Sequence, residues 1–491
     1  MRIRASARTV VMESLTPINK ADLFASLTPE WDDARLGLAL RDKIRASGRK
    51  VVVLDDDPTG TQTVHDISVL TGWSVKALRD ALINDDSVFY ILTNSRSVPA
   101  DRAAAMNDEI ARNLARAARE VKRDFVAVSR SDSTLRGHYP AELDALRETL
   151  EREYGFRFDG HVIIPFFLEG GRFTIGDTHW VQEDDRLIPA AQTDYARDAT
   201  FGYAHSNLRE WIKEKTGARY RADEITSISL DDIRLGGPAR VAGLLAIAHN
   251  DMPIIVNAAS DGDLDVFVAG LLRAEARGKR FLFRTAASFV RARGGISKRD
   301  LLSSSELYAN SASGQGGLVV VGSYVQRSSE QLRALQGLHN IVSIELNVVR
   351  VLVSATRETE ITRAVNEINA VFGSSRTALV YTSRELVTGG TKDESLQIGQ
   401  AISSALIETV RGLAIAPRFI IAKGGITSND VATRALDVVQ ARVLGQIAPG
   451  VPVWRLGDES RFPGIPYIVF PGNVGNKDTL AQVVKELRKK C

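Results

Sequence analysis

The chain has 491 residues, 44% of them hydrophobic and 25% charged, and a formal net charge of +3. That length exceeds one ordinary core and suggests two large α/β units, and the composition argues against disordered and fibrous classes. The near-neutral balance lacks long Lys/Arg blocks or basic-aromatic interleaving, so nothing indicates nucleic-acid binding, and no apolar run is long enough to cross a bilayer.

At the start, MRIRASARTVVMESLTPINK is basic but has no apolar core beyond Thr9 to Met12, too short for a signal peptide. Residues 1–45 read as an N-terminal extension with a short disordered start. The sole cysteine is Cys491, so neither an internal disulfide nor a cysteine metal site can form, which fits a reducing cytoplasm.

From there the sequence repeats a short apolar strand, a polar or Gly-rich turn and an amphipathic helix, the pattern of mostly parallel sheets. Predicted strands are VVVL (51–54), VFYILT (88–93), FVAVS (125–129), HVIIPFF (161–167) and PIIVNAA (253–259). Between about Leu168 and Arg240 the pattern weakens into loops and aromatics, an elaboration lining a site or a long connection. SSSELYANSASGQGG (303–317) lacks a core-forming pattern and marks a boundary near residue 310. The rhythm then resumes with GLVVVG (317–322), TALVY (377–381), RFIIA (418–422) and PYIVF (466–470). The expected architecture is two α/β domains, 46–310 and 311–491, with mostly parallel sheets and a ligand cleft between them.

Ligands of open α/β sheets bind beyond the carboxyl ends of the strands, so the loops there carry the chemistry. After the first strand stand Asp55, Asp56 and Asp57, a like-charged cluster that costs stability unless something binds it. The alternative is a solvated turn, since Asp, Pro and Gly all favour turns. SRSDSTLRGHYPAE (129–142) adds Arg130, Asp132, Ser133, Thr134, Arg136 and His138, and NSRS (94–97) adds Arg96. An arginine fork suits a carboxylate or phosphate, and an aspartate can accept a hydroxyl proton, a combination fitted to a hydroxylated acid. GRFTIGDTHW (171–180) contributes Arg172, Thr174, Asp177 and His179, which spacing alone does not rank.

In the second half GSYVQRSSEQL (322–332), KGGITSNDVATRAL (423–436) and PGNVGNKDTL (471–480) put small residues and hydroxyls before predicted helices, where free backbone N–H groups attract phosphate. In KGGIT the paired glycines admit a polyphosphate, and Thr427 or Ser428 is expected to cap a helix starting near Asn429. Neither GxxxxGK[ST] nor GxGxxG is present, so a nucleotide would be bound by another fold. The histidines form no HExxH or other compact metal pair, and no GxSxG elbow signals a hydrolase triad.

The succession DDDPTG (55–60), SRSDSTLRG (129–137), GRFTIGDTHW (171–180), QTDYARDATFGY (192–203), FRTAASFVRA (283–292), GSYVQRSSEQ (322–331), KGGITSNDVATRAL (423–436) and FPGNVG (470–475) resembles the four-carbon acid sugar kinase family. The resemblance implies an N-terminal sugar-acid domain, a C-terminal nucleotide domain, and transfer of phosphate from ATP, with Mg²⁺, to the terminal hydroxyl of a threonate, erythronate or oxo-tetronate. It implies Asp57, Asp132 and Arg136 as catalytic residues, with Asp57 or Asp132 as the base. Asp56, Thr59, Gly60, Arg96, Ser133, Thr134 and Arg172 would bind substrate, Arg136 with Arg96 holding the carboxylate. Ser323, Lys423, Gly424, Gly425, Ile426, Thr427, Gly472 and Gly475 would bind the nucleotide, and no metal-ligating residue is assigned. Pro58, Ile426 and the PGNVG loop depart from the family pattern and leave the substrate open. Competing readings are a non-catalytic sugar-acid or nucleotide sensor and, disfavoured by the missing glycine fingerprint, a hydroxy-acid dehydrogenase. The partner is a small molecule, and self-association is left open.

Overall fold

The computed structural model describes residues 15–33, 36–308, 316–322, 326–374, 376–384, 387, 392–472 and 474–489. The chain forms two compact units that are not contiguous in sequence: Met1–Asp56 with Val98–Ile296, and Asp57–Ser97 with Ser297–Cys491. The sequence suggested a single cut near residue 310, whereas here the chain changes unit after Asp56, after Ser97 and after Ile296.

In the first unit six strands form a parallel sheet in the order Thr226–Ile228, Met252–Val256, Gly160–Ile164, Phe281–Thr285, Phe125–Arg130, Lys50–Asp55. Their near-continuous apolar runs, such as Val51-Val52-Val53, are buried, as expected for a sheet covered on both faces. The N-terminal extension contributes the helix Leu36–Ala46, which buries Leu40 and Ile44, and the strand Ile18–Asn19. That strand pairs antiparallel with Arg186–Pro189, completing a four-stranded sheet with Thr178–Glu183 and Arg172–Ile175. The stretch after Leu168 therefore holds a meander in place of loops. Its tight turns use positive φ at Gly176, Asp177 and Asp184, where Gly and Asp tolerate the left-handed region.

The second unit orders its strands Val88–Leu92, Ile67–Leu70, Gln440–Ala448, Val451–Leu456, Pro466–Phe470, Phe419–Lys423, Gly317–Val321, Thr377–Thr382, Ile341–Leu346. Pairing is parallel from Pro466–Phe470 through Ile341–Leu346 and antiparallel around Gln440–Ala448. Ser304–Tyr308, within the expected linker, is helical, and 309–315 lie outside the described residues. No described helix is long and apolar enough to cross a membrane.

Candidate functional site

The acidic run after the first strand is split between the units. Asp55 ends Lys50–Asp55 and lies beside Arg130, which ends the neighbouring strand; the Arg130 guanidinium is 3.4 Å from Asp55 and 3.8 Å from Asp56. All three side chains are buried, so the charges are held as a group at the carboxyl edge of the sheet.

Asp57 belongs to the second unit. Its carboxylate caps the short turn Pro58–Thr61, accepting from the Thr59 amide at 2.8 Å and the Thr59 hydroxyl at 2.5 Å. Its other oxygen is 2.6 Å from the Arg96 guanidinium. The same oxygen stands 3.1 Å from the point where a Gly425 Cβ would sit, so Asp57 and the KGGIT loop adjoin within one unit. Gly60 is buried in that turn.

Strand Phe419–Lys423 delivers the loop. Gly424 has φ of +109°, a backbone that side chains rarely adopt, and the helix runs from Gly425 to Asp430 rather than from near Asn429. Ser428 does not cap it: its hydroxyl donates back to Ala422 O at 2.7 Å. Thr427 Oγ1 would be 2.7 Å from a Cβ at Gly322, so a glycine is required on the neighbouring loop as well. Lys423 is buried, and its ammonium donates to Pro471 O at 2.6 Å and Gly472 O at 2.9 Å, over the Phe470 ring. Burial, reinforced by Arg327, lowers its pKa to about 7. Lys423 thus ties the KGGIT loop to PGNVG, where Gly475 has φ of +77°. Ile426 is largely exposed, and Ser323 lies outside the described residues.

In the first unit the 131–137 loop follows strand Phe125–Arg130. Asp132 accepts from the Thr134 hydroxyl and, at 2.8 Å, from Arg136 Nε; Arg136 also reaches Asp198 at 3.5 Å. Against burial, the Phe201 and Thr200 amides and Arg136 hold the Asp198 carboxyl below its ordinary range. Arg136 and Arg172 both lie on the Tyr195 ring, at 5.1 and 5.6 Å, and Arg172 donates to the Tyr195 hydroxyl at 3.3 Å. Among the described residues no carboxylate pairs with Arg172. Arg96 pairs with Asp57 in the other unit, whereas Arg172 shares the Tyr195 ring with Arg136 in the first.

Other candidates hold the framework. Asp177 accepts from Arg209 at 2.8 Å and from Ser227 and Asn257, and His138 bonds Val98 O at 2.9 Å. His179 is fully buried between Thr174 Oγ1 (3.1 Å) and Ser133 O (2.8 Å), and burial lowers its pKa to about 4, so it is neutral. Sequence alone does not single out Tyr195, Tyr203 or Arg284, although QTDYARDATFGY holds the two tyrosines and FRTAASFVRA the arginine; only packing brings them to the 131–137 loop. Among the described residues no group of three or more His, Cys, Asp or Glu is arranged to hold a metal.

A family model described as a sugar-binding N-terminal domain matches residues 51–293, and one described as a nucleotide-binding C-terminal domain matches 318–480. A solved Haemophilus influenzae protein of the DUF1537 family is 19% identical, with a TM-score of 0.61 over 89% of this chain and 100% of its own. A Salmonella typhimurium LT2 protein is 16% identical, with a TM-score of 0.64 over 88% of this chain and 98% of its own. At these identities the two structures show a shared fold, and no curated protein matches the chain. Sugar-binding and nucleotide-binding matches in the order the two glycine-rich and acidic motif sets occupy, on the DUF1537 fold, show that the chain belongs to the four-carbon acid sugar kinase family.

Proposed function

We propose that the protein is an ATP-dependent kinase acting on the terminal hydroxyl of a four-carbon sugar acid such as threonate, erythronate or an oxo-tetronate. The observation that carries this reading is the contact of Asp57 with Gly425, an acid and a glycine loop brought together from positions far apart in sequence. Phosphoryl transfer asks a protein mainly for positioning and charge neutralisation. The backbone at Gly424 and Gly425, with Gly322 and Gly475 free of side chains, has the open cradle a polyphosphate needs, and Thr427 adds a hydroxyl. Lys423 fixes two of these loops relative to each other through Pro471 and Gly472.

Asp57 accepts the proton of the attacking hydroxyl. Arg96, 2.6 Å away, orients it, while Thr59 fixes the other oxygen. Magnesium, if it enters with the nucleotide, would supply charge neutralisation, and Asp57 is the carboxylate beside the loop that would help to hold it. In the sugar-acid unit Arg136 is already engaged by Asp132 and Asp198, so the substrate carboxylate falls to Arg172, with Arg136 alongside across Tyr195.

The test is ADP formation from MgATP across D- and L-threonate, erythronate and their oxo forms, with a no-acid control. Asp57→Asn should lower kcat by roughly 10²- to 10⁴-fold with ATP affinity retained. Arg172→Ala should raise KM for the acid by about tenfold or more with little change in KM for ATP. Absence of ATP binding would overturn the reading, and an unaltered kcat in Asp57→Asn would remove Asp57 from it.

A further inference from the structure

Four consecutive carbonyl oxygens of the 133–136 backbone each receive a hydrogen bond from a buried side chain of another segment. His179 Nε2 reaches Ser133 O at 2.8 Å, and the Tyr203 hydroxyl reaches Thr134 O at 2.8 Å. Arg284 Nη2 reaches Leu135 O at 3.4 Å and Arg136 O at 3.0 Å. These donors come from Thr178–Glu183, from the segment after Asp194–Arg197, and from the end of strand Phe281–Thr285. All three are buried, and the Tyr203 hydroxyl, nearer Thr134 O, also lies 3.3 Å from Ala190 O. With Thr174 on its Nδ1, His179 is assigned the tautomer that carries the proton on Nε2. Burial also raises the Tyr203 phenol, so it keeps its proton. Arg284 is only 1% exposed, lies over the rings of Tyr139 and Trp211, and leaves its Nε and Nη1 without a protein acceptor. Its buried charge is balanced in part by the neighbouring Asp56 carboxylate, and its hydrogen bonds go to two backbone carbonyls of the loop.

In a trans peptide the N–H points opposite to the preceding C=O. Drawing Ser133 O and Arg136 O into the interior therefore turns the amides of Thr134 and Gly137 the other way. Among the described residues neither amide donates to a protein acceptor. Position 137 must be bare: φ is +119°, and a Cβ there would lie 3.3 Å from Asp56 Oδ2 and 3.9 Å from Arg284 Nη2. The loop also carries Arg136, which shares Tyr195 with Arg172.

We propose that His179, Tyr203 and Arg284 are positioning residues that hold the 133–137 backbone so that the Thr134 and Gly137 amides, with Arg172, receive the substrate's carboxylate. The identity of that acid rests on the kinase reading; the anion-facing backbone does not.

Calorimetric titration of the nucleotide-free protein with the same acids, each alongside its carboxamide, separates the two ideas. Tyr203→Phe keeps the ring and removes the donor to Thr134 O. It should weaken acid binding on the order of tenfold and narrow the preference for acid over carboxamide, with ATP affinity unchanged. His179→Leu should do the same and His179→Gln, which keeps an N–H, should restore most of the affinity. An acid that binds with these responses but is never phosphorylated would sustain the inference and sink the kinase reading. Phosphorylation with Tyr203→Phe and His179→Leu binding the acid as wild type does would sink the inference alone, as would a lowered Tm with unchanged acid affinity. No binding of any acid by the wild-type protein would also overturn it.

Discussion

His179 shows how a residue in a recognisable motif escapes ranking from sequence. Its partners, Thr174 and Ser133, are five and 46 positions away, and nothing in GRFTIGDTHW marks the histidine as a loop pin rather than a ligand. Arg136 is legible as an arginine after a strand end and Arg172 only as part of a loop-like stretch, and which of them carries an acid partner depends on Asp132 and Asp198. Burial also makes His179 a pH-dependent contributor to stability. Its folded pKa of about 4 lies below the ordinary 6.5, so the unfolded chain takes up the proton first as pH falls. The contribution is complete above about pH 6.5 and is lost on descending toward pH 4, up to roughly 3 kcal/mol in all. Scanning calorimetry from pH 7.5 to pH 4.5 should show the wild-type Tm falling more steeply than that of His179→Gln; parallel declines would contradict the assignment.

Among the elements, the parallel strands were legible because a strand buried on both faces reads as an unbroken apolar run, as at Val51-Val52-Val53 and Ile420-Ile421-Ala422. The antiparallel strands were not. Arg172–Ile175 has a buried centre between partly exposed ends, and Gln440–Ala448 alternates with interruptions at register shifts, so neither gives a run long enough to read. The KGGIT loop was legible in composition, but its helix begins four residues before the expected Asn429, because Gly424 itself makes the turn. That geometry separates two glycine substitutions. Gly424→Ala forces a side chain into positive φ, a strain of about 1–3 kcal/mol, and should lower Tm and weaken ATP binding together. Gly425→Ala meets only the end of the Asp57 side chain and should lower kcat with a smaller change in Tm. Thermal unfolding and steady-state kinetics on both variants check this, and equal losses of Tm would count against it.

For the molecule as a whole, the sequence boundary near 310 followed composition, whereas the fold follows strand pairing. Ile67–Leu70 pairs antiparallel with Gln440–Val443, and the Trp454 indole donates to Thr61 at 3.1 Å, so residues 57–97 complete the C-terminal unit. A fragment of residues 311–491 alone would leave Gln440–Ala448 as a long unpaired edge and should aggregate. Size-exclusion chromatography should show recovery of soluble material when residues 57–97 are supplied in trans, and a monodisperse fragment without them would refute this. The same pairing sets an order of events on the ribosome. Residues 57–97 emerge early, yet their partner strand is made only after the whole of Val98–Ile296 has been translated, a wait on the order of half a minute at ordinary elongation rates. The first unit can close first, leaving the apolar strands Ile67–Leu70 and Val88–Leu92 as the stretch a nascent-chain chaperone would have to shield.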